Sequence, residues 1–184
     1  QPYVFGALSR LMPPARILDV GGSESTIALS LAGLGHQVHV VDPRGYQLKH
    51  PLLTASAVTL EQLEGGPRFD AAIAVSVLEH FGLGAYGQSG AGDERLDRIA
   101  LGAIQQRLEP GGLLILTVPC AASPGVDEFQ RVYSLDELRE MLAGWELVDL
   151  SVVWRRDRVT WVRGTAHEPP GEAGVALVTA RHPG

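Results

Sequence analysis

Apolar positions along the chain switch repeatedly between two spacings. Arg16–Val20 (RILDV) is a short apolar run that stops at two glycines, the pattern of a buried parallel strand feeding a tight turn. From Ser25 onward Ile27, Leu31 and Leu34 recur at helical spacing, and Gly33 and Gly35 supply the stop. Gln37–Val41 (QVHVV) is rich in β-branched residues and closes on Asp42 and Pro43. Strand, helix and strand within about thirty residues make a βαβ unit.

The alternation continues beyond it. Residues 52–56 predict a weaker strand, 60–63 a short helix, and Phe69–Val75 (FDAAIAV) a clear strand, with Gly65, Gly66 and Pro67 separating the last two. Residues 94–108 place Leu96, Ile99, Ala100, Ala103, Ile104 and Leu108 on one helical face, with Asp93 as N-cap and EPGG as terminator. Residues 113–118 (LLILTV) predict another buried strand. Ser134 and Glu137 have capping-box spacing ahead of Leu138, Met141 and Leu142, which predicts a helix ending near Gly144. Two closing strands are expected over 145–154 and 175–180, and residues 168–174 (EPPGEAG) read as a surface loop. Strands and helices in turn, with few hairpin signals, predict an α/β fold with a doubly wound, mostly parallel sheet.

Composition narrows the partners. At 184 residues, 45% of them hydrophobic, the chain matches one domain spanning 1–184 that buries its own core. An opening at Gln1 without an initiator Met is expected of a chain trimmed at its N-terminus from a longer one. Fifteen basic against 21 acidic residues give a net charge of -6, which disfavours a nucleic acid or an anionic membrane as partner. The basic residues Arg155, Arg156, Arg158 and Arg163, interleaved with Trp154 and Trp161, are then read as a solvated face. No apolar run has the length of a membrane span. Cys120 is the only cysteine, so no disulfide framework exists, and a cytoplasmic compartment is the expectation.

In a doubly wound sheet, ligands bind beyond the carboxyl ends of the strands, where loop amides and helix N-termini are exposed. Gly21 and Gly22 let the backbone turn and approach a ligand closely, and Asp42 ends the second strand 21 residues after Gly21. That spacing sets a carboxylate beside a ribose diol. The loop GGSEST is not the G-x-G-x-x-G of dinucleotide sites, and Glu24 would face a pyrophosphate unfavourably; a cationic sulfonium meets no such objection.

Four segments in order carry a family resemblance. ILDVGGSES resembles motif I of class I S-adenosylmethionine-dependent methyltransferases, HVVDP motif II, FDAAIAVSVLEH motif IV, and LEPGGLLILTVP the segment around the fifth strand. The resemblance implies a Rossmann-like seven-stranded sheet with an antiparallel last strand, residues 175–180, inserted between neighbours. It implies S-adenosylmethionine as cofactor and S-adenosylhomocysteine as product. Asp19, Gly21, Gly22 and Ser23 would face the methionine moiety, Asp42 with Pro43 the ribose, and Ser76 the methionine end. Where the family often has an acid for the adenine amino group, this chain offers Ser56 and Ala57. It also departs from G-x-G-x-G by placing Ser23 and Ser25 after Gly21.

Methyl transfer displaces an activated carbon in line, so the protein must hold the acceptor and exclude water. Glu79 and His80 follow the fourth strand directly, and His80 is the candidate base if the acceptor carries a proton. A metal is not expected, because adjacent residues rarely share one coordination sphere. The glycine-dense stretch EHFGLGAYGQSGAGD has a length that calls for a role, such as a lid. It resembles the E-H-x-G-L-G-x-Y-G loop of a bacterial methyltransferase subgroup, and FQRVYSLDEL that subgroup's segment after the fifth strand. Tyr86, Arg131 and Tyr133 would then face the acceptor. The N/D-P-P-Y/F motif of amino methyltransferases acting on DNA is absent, so a small molecule methylated on oxygen or nitrogen, a sugar or natural-product intermediate, is the expected acceptor. Two rival readings stand beside this one. An NAD-dependent oxidoreductase or epimerase would also need Asp42, but Tyr46 precedes Lys49 by three residues where four are wanted. A methyltransferase-like module that binds without catalysing is the other.

Overall fold

The computed structural model describes residues 2–83, 95–165 and 173–184. Strands β1 (Arg16–Val20), β2 (Gln37–Val41), β3 (Leu53–Ser56) and β4 (Phe69–Val75) form where the apolar runs put them. With β5 (Leu108–Cys120) they lie parallel in the order β3-β2-β1-β4-β5. Successive side chains of these strands feed opposite layers. Leu18, Ala72, Ala74, Leu114 and Leu116 pack on one face against Ala100, Leu101 and Ile104 of helix α3 (Leu96–Arg107). Ile17, Ala71, Ile73 and Ile115 face the other way, against Ile27, Ala28 and Leu31 of α2 (Ile27–Gly33) and Val4 and Leu8 of α1 (Pro2–Leu8). Burial on both faces is why β1, β4 and the inner part of β5 read as continuous apolar runs rather than alternating ones.

The antiparallel strand stands where expected. β10 (Gly174–Arg181) runs antiparallel between β5 and β8 (Glu146–Arg155). Among the described residues, however, the sheet has eight strands rather than seven, because β9 (Trp161–Thr165) pairs antiparallel with the outer edge of β8. WVRGT hides this strand: Trp161 and Val162 are both half-exposed and Gly164 interrupts it, so no alternation of buried and polar positions marks it.

Two local expectations are corrected. Residues 60–63 form no helix but a turn, in which the Gln62 N–H donates to the Thr59 carbonyl at 3.2 Å. So short a segment fixes several dihedrals for few hydrogen bonds. EPGG ends α3 but does not lie between helix and strand: it belongs to β5, looping out between the pairs Phe69–Leu108 and Ala71–Leu113 with Gly111 at φ 81°. The expected N-cap Asp93 and most of the loop 168–174 lie outside the described residues. After β5 the chain makes a small ribbon of β6 (Gly125–Val126) and β7 (Arg131–Val132), then α4 (Leu135–Met141).

At the start of α4 the capping box is present. The Glu137 N–H donates to Ser134 Oγ at 3.1 Å, and the Ser134 N–H donates to Glu137 Oε2 at 2.7 Å. Ser134→Ala removes the first of these bonds and is expected to cost about 1 kcal/mol, lowering Tm by about 2–4 °C in thermal unfolding. A Tm unchanged within error would show that the cap does not hold the helix.

Candidate active site

The parallel strands end at one rim, and the turn after β1 is pinned there. Gly21 has φ 70°, and its N–H donates to the Val41 carbonyl at 2.9 Å. A Cβ on Gly21 would lie 2.1 Å from Val77 Cγ2, and one on Gly22 would lie 2.5 Å from Asp19 Oδ2. Both positions therefore exclude any side chain. Ser25, where the family pattern has a third glycine, starts α2 instead: its Oγ accepts the Ile27 N–H at 3.0 Å.

Two carboxylates sit beneath this loop with opposite electrostatics. Asp19 is buried, and neither its Oδ2 nor Ser23 Oγ has a hydrogen-bond partner among the described residues. Burial, and after it the neighbouring charge of Asp42, pushes the Asp19 pKa up to about 7. Asp42 is equally buried but well supplied. Its Oδ1 accepts the Arg44 N–H at 2.9 Å and Arg44 Nε at 3.2 Å; its Oδ2 accepts Arg44 Nη2 at 3.2 Å and the Ser23 N–H at 3.2 Å. Burial acts to raise its pKa, but the Arg44 side chain and the two backbone N–H groups outweigh it and hold it below the ordinary carboxylate value. Arg44 also reaches Glu24 at 2.8 Å across the mouth of the loop.

A cleft of ≈ 440 Å³ opens over these groups. Gly21, Glu24, Ser25, Asp42, Pro43 and Arg44 form one side of it. Thr59, Leu60, Glu61 and Gln62 also line it, as do Ser76, Val77, His80, Phe81 and Leu96. Ser76 takes a left-handed φ of 51°, and its N–H donates to the Thr117 carbonyl at 2.9 Å. That strained bend, which costs on the order of 1–3 kcal/mol, turns the chain from β4 into the short 3-10 turn Leu78–His80. There His80 Nδ1 donates to the Phe129 carbonyl at 2.7 Å. A carbonyl only accepts, so Nδ1 carries a proton, and in the neutral tautomer that satisfies this bond the lone pair lies on Nε2.

The expected site residues divide into those at the cleft and those away from it. Gly21, Asp42, Pro43, Ser76 and His80 line it, with Asp19 near the end of β1 and Gly22 and Ser23 in the loop that follows. Ser56 and Ala57 do not: Ser56 Oγ is 3.1 Å from His39 Nε2, and the chain runs on to Thr59 before it meets the cleft. Glu79 is buried beside the cleft rather than in its wall; burial raises its pKa to about 7, and its Oε2 is unpaired among the described residues. Arg131 and Tyr133 are buried in a polar cluster with Asp97, away from the cleft wall. Tyr86 and most of the glycine-dense stretch lie outside the described residues. Arg44 and the 59–62 segment were not anticipated, though each directly follows the carboxyl end of β2 or β3, the position where ligand contacts concentrate. Among the described residues no group of three His, Cys, Asp or Glu side chains could hold a metal ion.

A methyltransferase domain model matches residues 3–158. The chain belongs to this family. The methyltransferase shares its fold with solved structures at low identity. One is the Burkholderia thailandensis 1,6-didemethyltoxoflavin-N1-methyltransferase with bound 1,6-didemethyltoxoflavin and S-adenosylhomocysteine (21% identity, 100% of this chain and 78% of that one, TM-score 0.67). Another is a Bacillus halodurans protein described as a methyltransferase (15% identity, 98% of each chain, TM-score 0.68). A third is the [4+2]-cyclase SpnF (23% identity, 96% of this chain and 78% of that one, TM-score 0.67). No curated protein matches it in sequence.

Burying an ionised Asp19 costs the methyltransferase stability. With a folded pKa of about 7 against an ordinary 3.8, the penalty is full above pH 7 and disappears as pH falls from 7 towards 3.8. Asp19→Asn is therefore expected to raise Tm at pH 8 by several degrees, at about 2–4 °C per kcal/mol, and by much less at pH 5. Equal shifts at both pH values in calorimetry would contradict the assignment.

Proposed function

We propose that the chain transfers the methyl group of S-adenosylmethionine to an oxygen or nitrogen of a small molecule, and that it falls in the subgroup with the EHxGLGxYG loop. One observation carries the reading: a single cleft is lined by the side-chain-free Gly21 turn, a ribose-type carboxylate at Asp42 and His80. The residues present suit this cofactor. Asp19 Oδ2 is a buried acceptor without a partner among the described residues, suited to an ammonium donor, and the Gly21–Gly22 backbone admits a close ligand. Leu60 offers an apolar surface where an adenine would lie.

S-adenosylmethionine supplies a methyl carbon already activated by a sulfonium. The chain's own work is placement and proton handling. Asp42 would hold the ribose hydroxyls, and since Arg44 and Ser23 engage both its oxygens, the Arg44 guanidinium would move aside for them. Val75, Val77 and Phe81 exclude water at the reacting end. Nε2 of His80 accepts the proton of an acceptor O–H or N–H, and the bond from Nδ1 to the Phe129 carbonyl keeps the ring in the tautomer that allows it. Glu79, away from the cleft wall, takes no part in this transfer. The toxoflavin enzyme above, with its bound 1,6-didemethyltoxoflavin, favours a small-molecule acceptor. SpnF favours a second reading, in which the same fold promotes a reaction other than methyl transfer.

Calorimetric titration with S-adenosylhomocysteine and with NAD separates these readings from an oxidoreductase. The homocysteine compound is expected to bind, and Asp42→Ala to weaken it by about 10- to 100-fold, the loss of hydrogen bonds to a charged group. Binding of NAD alone would overturn the proposal. With an acceptor in hand, His80→Ala is expected to slow turnover by about 10²- to 10⁴-fold. Undiminished turnover would remove His80 as the base.

A further inference from the structure

The turn that carries His80 is held by a part of the chain some fifty residues further on. Between β6 and β7 the ribbon tip is tight: Asp127 Oδ1 accepts the N–H groups of Phe129 at 2.8 Å and Gln130 at 2.7 Å, and the Asp127 N–H donates to the Gln130 carbonyl at 3.0 Å. This fixes the Phe129 carbonyl that receives His80 Nδ1, while the Phe129 ring packs edge-on to the imidazole with centroids 4.6 Å apart.

Two residues along the same ribbon, Arg131 makes the second tie. Its Nη1 donates to the Phe81 carbonyl, one residue past His80, and its Nε lies 4.0 Å from Asp97 Oδ2. Asp97, in the first turn of α3, also accepts the Tyr133 hydroxyl at 3.0 Å. Tyr133 is tied in turn to the end of β5, donating its N–H to the Pro119 carbonyl at 3.0 Å and accepting the Ala121 N–H at 3.0 Å. Arg131, Asp97 and Tyr133 are all buried. A buried guanidinium is costly to desolvate, and an apolar residue of similar volume is often no less stable in its place, so stability alone accounts poorly for Arg131 here.

We propose that Arg131 is a positioning residue for His80: backed by Asp97 and Tyr133, it clamps the Leu78–Phe81 turn to the β6–β7 ribbon so that His80 keeps its Nδ1–H on the Phe129 carbonyl. The proposal rests on the reading of His80 as the base at the methyl-transfer cleft. Its physical content is a tautomer. A solvated neutral imidazole prefers its proton on Nε2, which would leave no lone pair there to accept one; the clamp reverses that preference by presenting a carbonyl to Nδ1.

The test is ¹⁵N NMR of the imidazole side chains in the full chain, with His80 assigned by its disappearance in His80→Asn. The wild type is expected to show the Nδ1–H pattern for His80. In Arg131→Met that pattern is lost in favour of Nε2–H, while S-adenosylhomocysteine affinity is unchanged. Arg131→Lys, which keeps the charge and a donor, restores the wild-type pattern. If Arg131→Met does not fold, Asp97→Asn removes the charge behind the guanidinium, and the Nε2–H share is expected to rise. An Nδ1–H pattern that persists in every folded variant, or is absent from the wild type, overturns the proposal. Because the tautomer is read without cofactor or acceptor, a wild type that binds no S-adenosylhomocysteine would defeat the proposed function while leaving this result to stand or fall separately.

Discussion

At Gly21 the chain leaves β1 so close to Val77 that a Cβ would sit 2.1 Å from a methyl carbon, and much of the site follows from that approach. The turn after β1 and the bend after β4 are thereby locked against each other at the rim of two adjacent parallel strands. Gly22, one residue on, leaves the room that the Asp19 carboxylate fills. A cleft bounded by backbone rather than side chains lets a ligand approach the loop amides closely, which a larger residue at either position would prevent.

The same tightness divides the electrostatics. Asp19 and Asp42 end up under one loop, but only Asp42 is reached by Arg44 and by the Ser23 N–H, so the two acids titrate in opposite directions from their ordinary value. Such a pair spends stability that packing elsewhere offsets. The fully buried Ile17 and Leu18, on either side of β1 just before Asp19, each contribute roughly 1.5–3 kcal/mol. Asp19 Oδ2, unpaired among the described residues, is thus carried by a strand whose preceding positions are fully buried.

Much of this was legible in the sequence. RILDV, QVHVV and FDAAIAV declare themselves as buried strands because both their faces are covered, and Gly21, Gly22 and Asp42 fall at strand ends where their chemistry is usable. Ser134 and Glu137 announce α4 because the capping box is a local interaction. What stayed hidden depends on distant contacts. β9 exists through pairing with β8, although its own residues are exposed and interrupted by Gly164. Arg44 sits two residues past Asp42, but its grip on that carboxylate is a matter of side-chain conformation rather than of spacing. Arg131 and Tyr133 carry the right chemistry for an acceptor site, yet Asp97, on helix α3, draws them inward.

The central claim is that Asp42 is the ribose anchor of a methyl-donor site and that Arg44 holds its place until the ligand arrives. A crystal structure of the chain with S-adenosylhomocysteine tests this most directly. The ribose hydroxyls should donate to Asp42, with the Arg44 guanidinium displaced from both carboxylate oxygens. An Arg44 still paired to Asp42, with the ligand bound elsewhere or in another orientation, would contradict it.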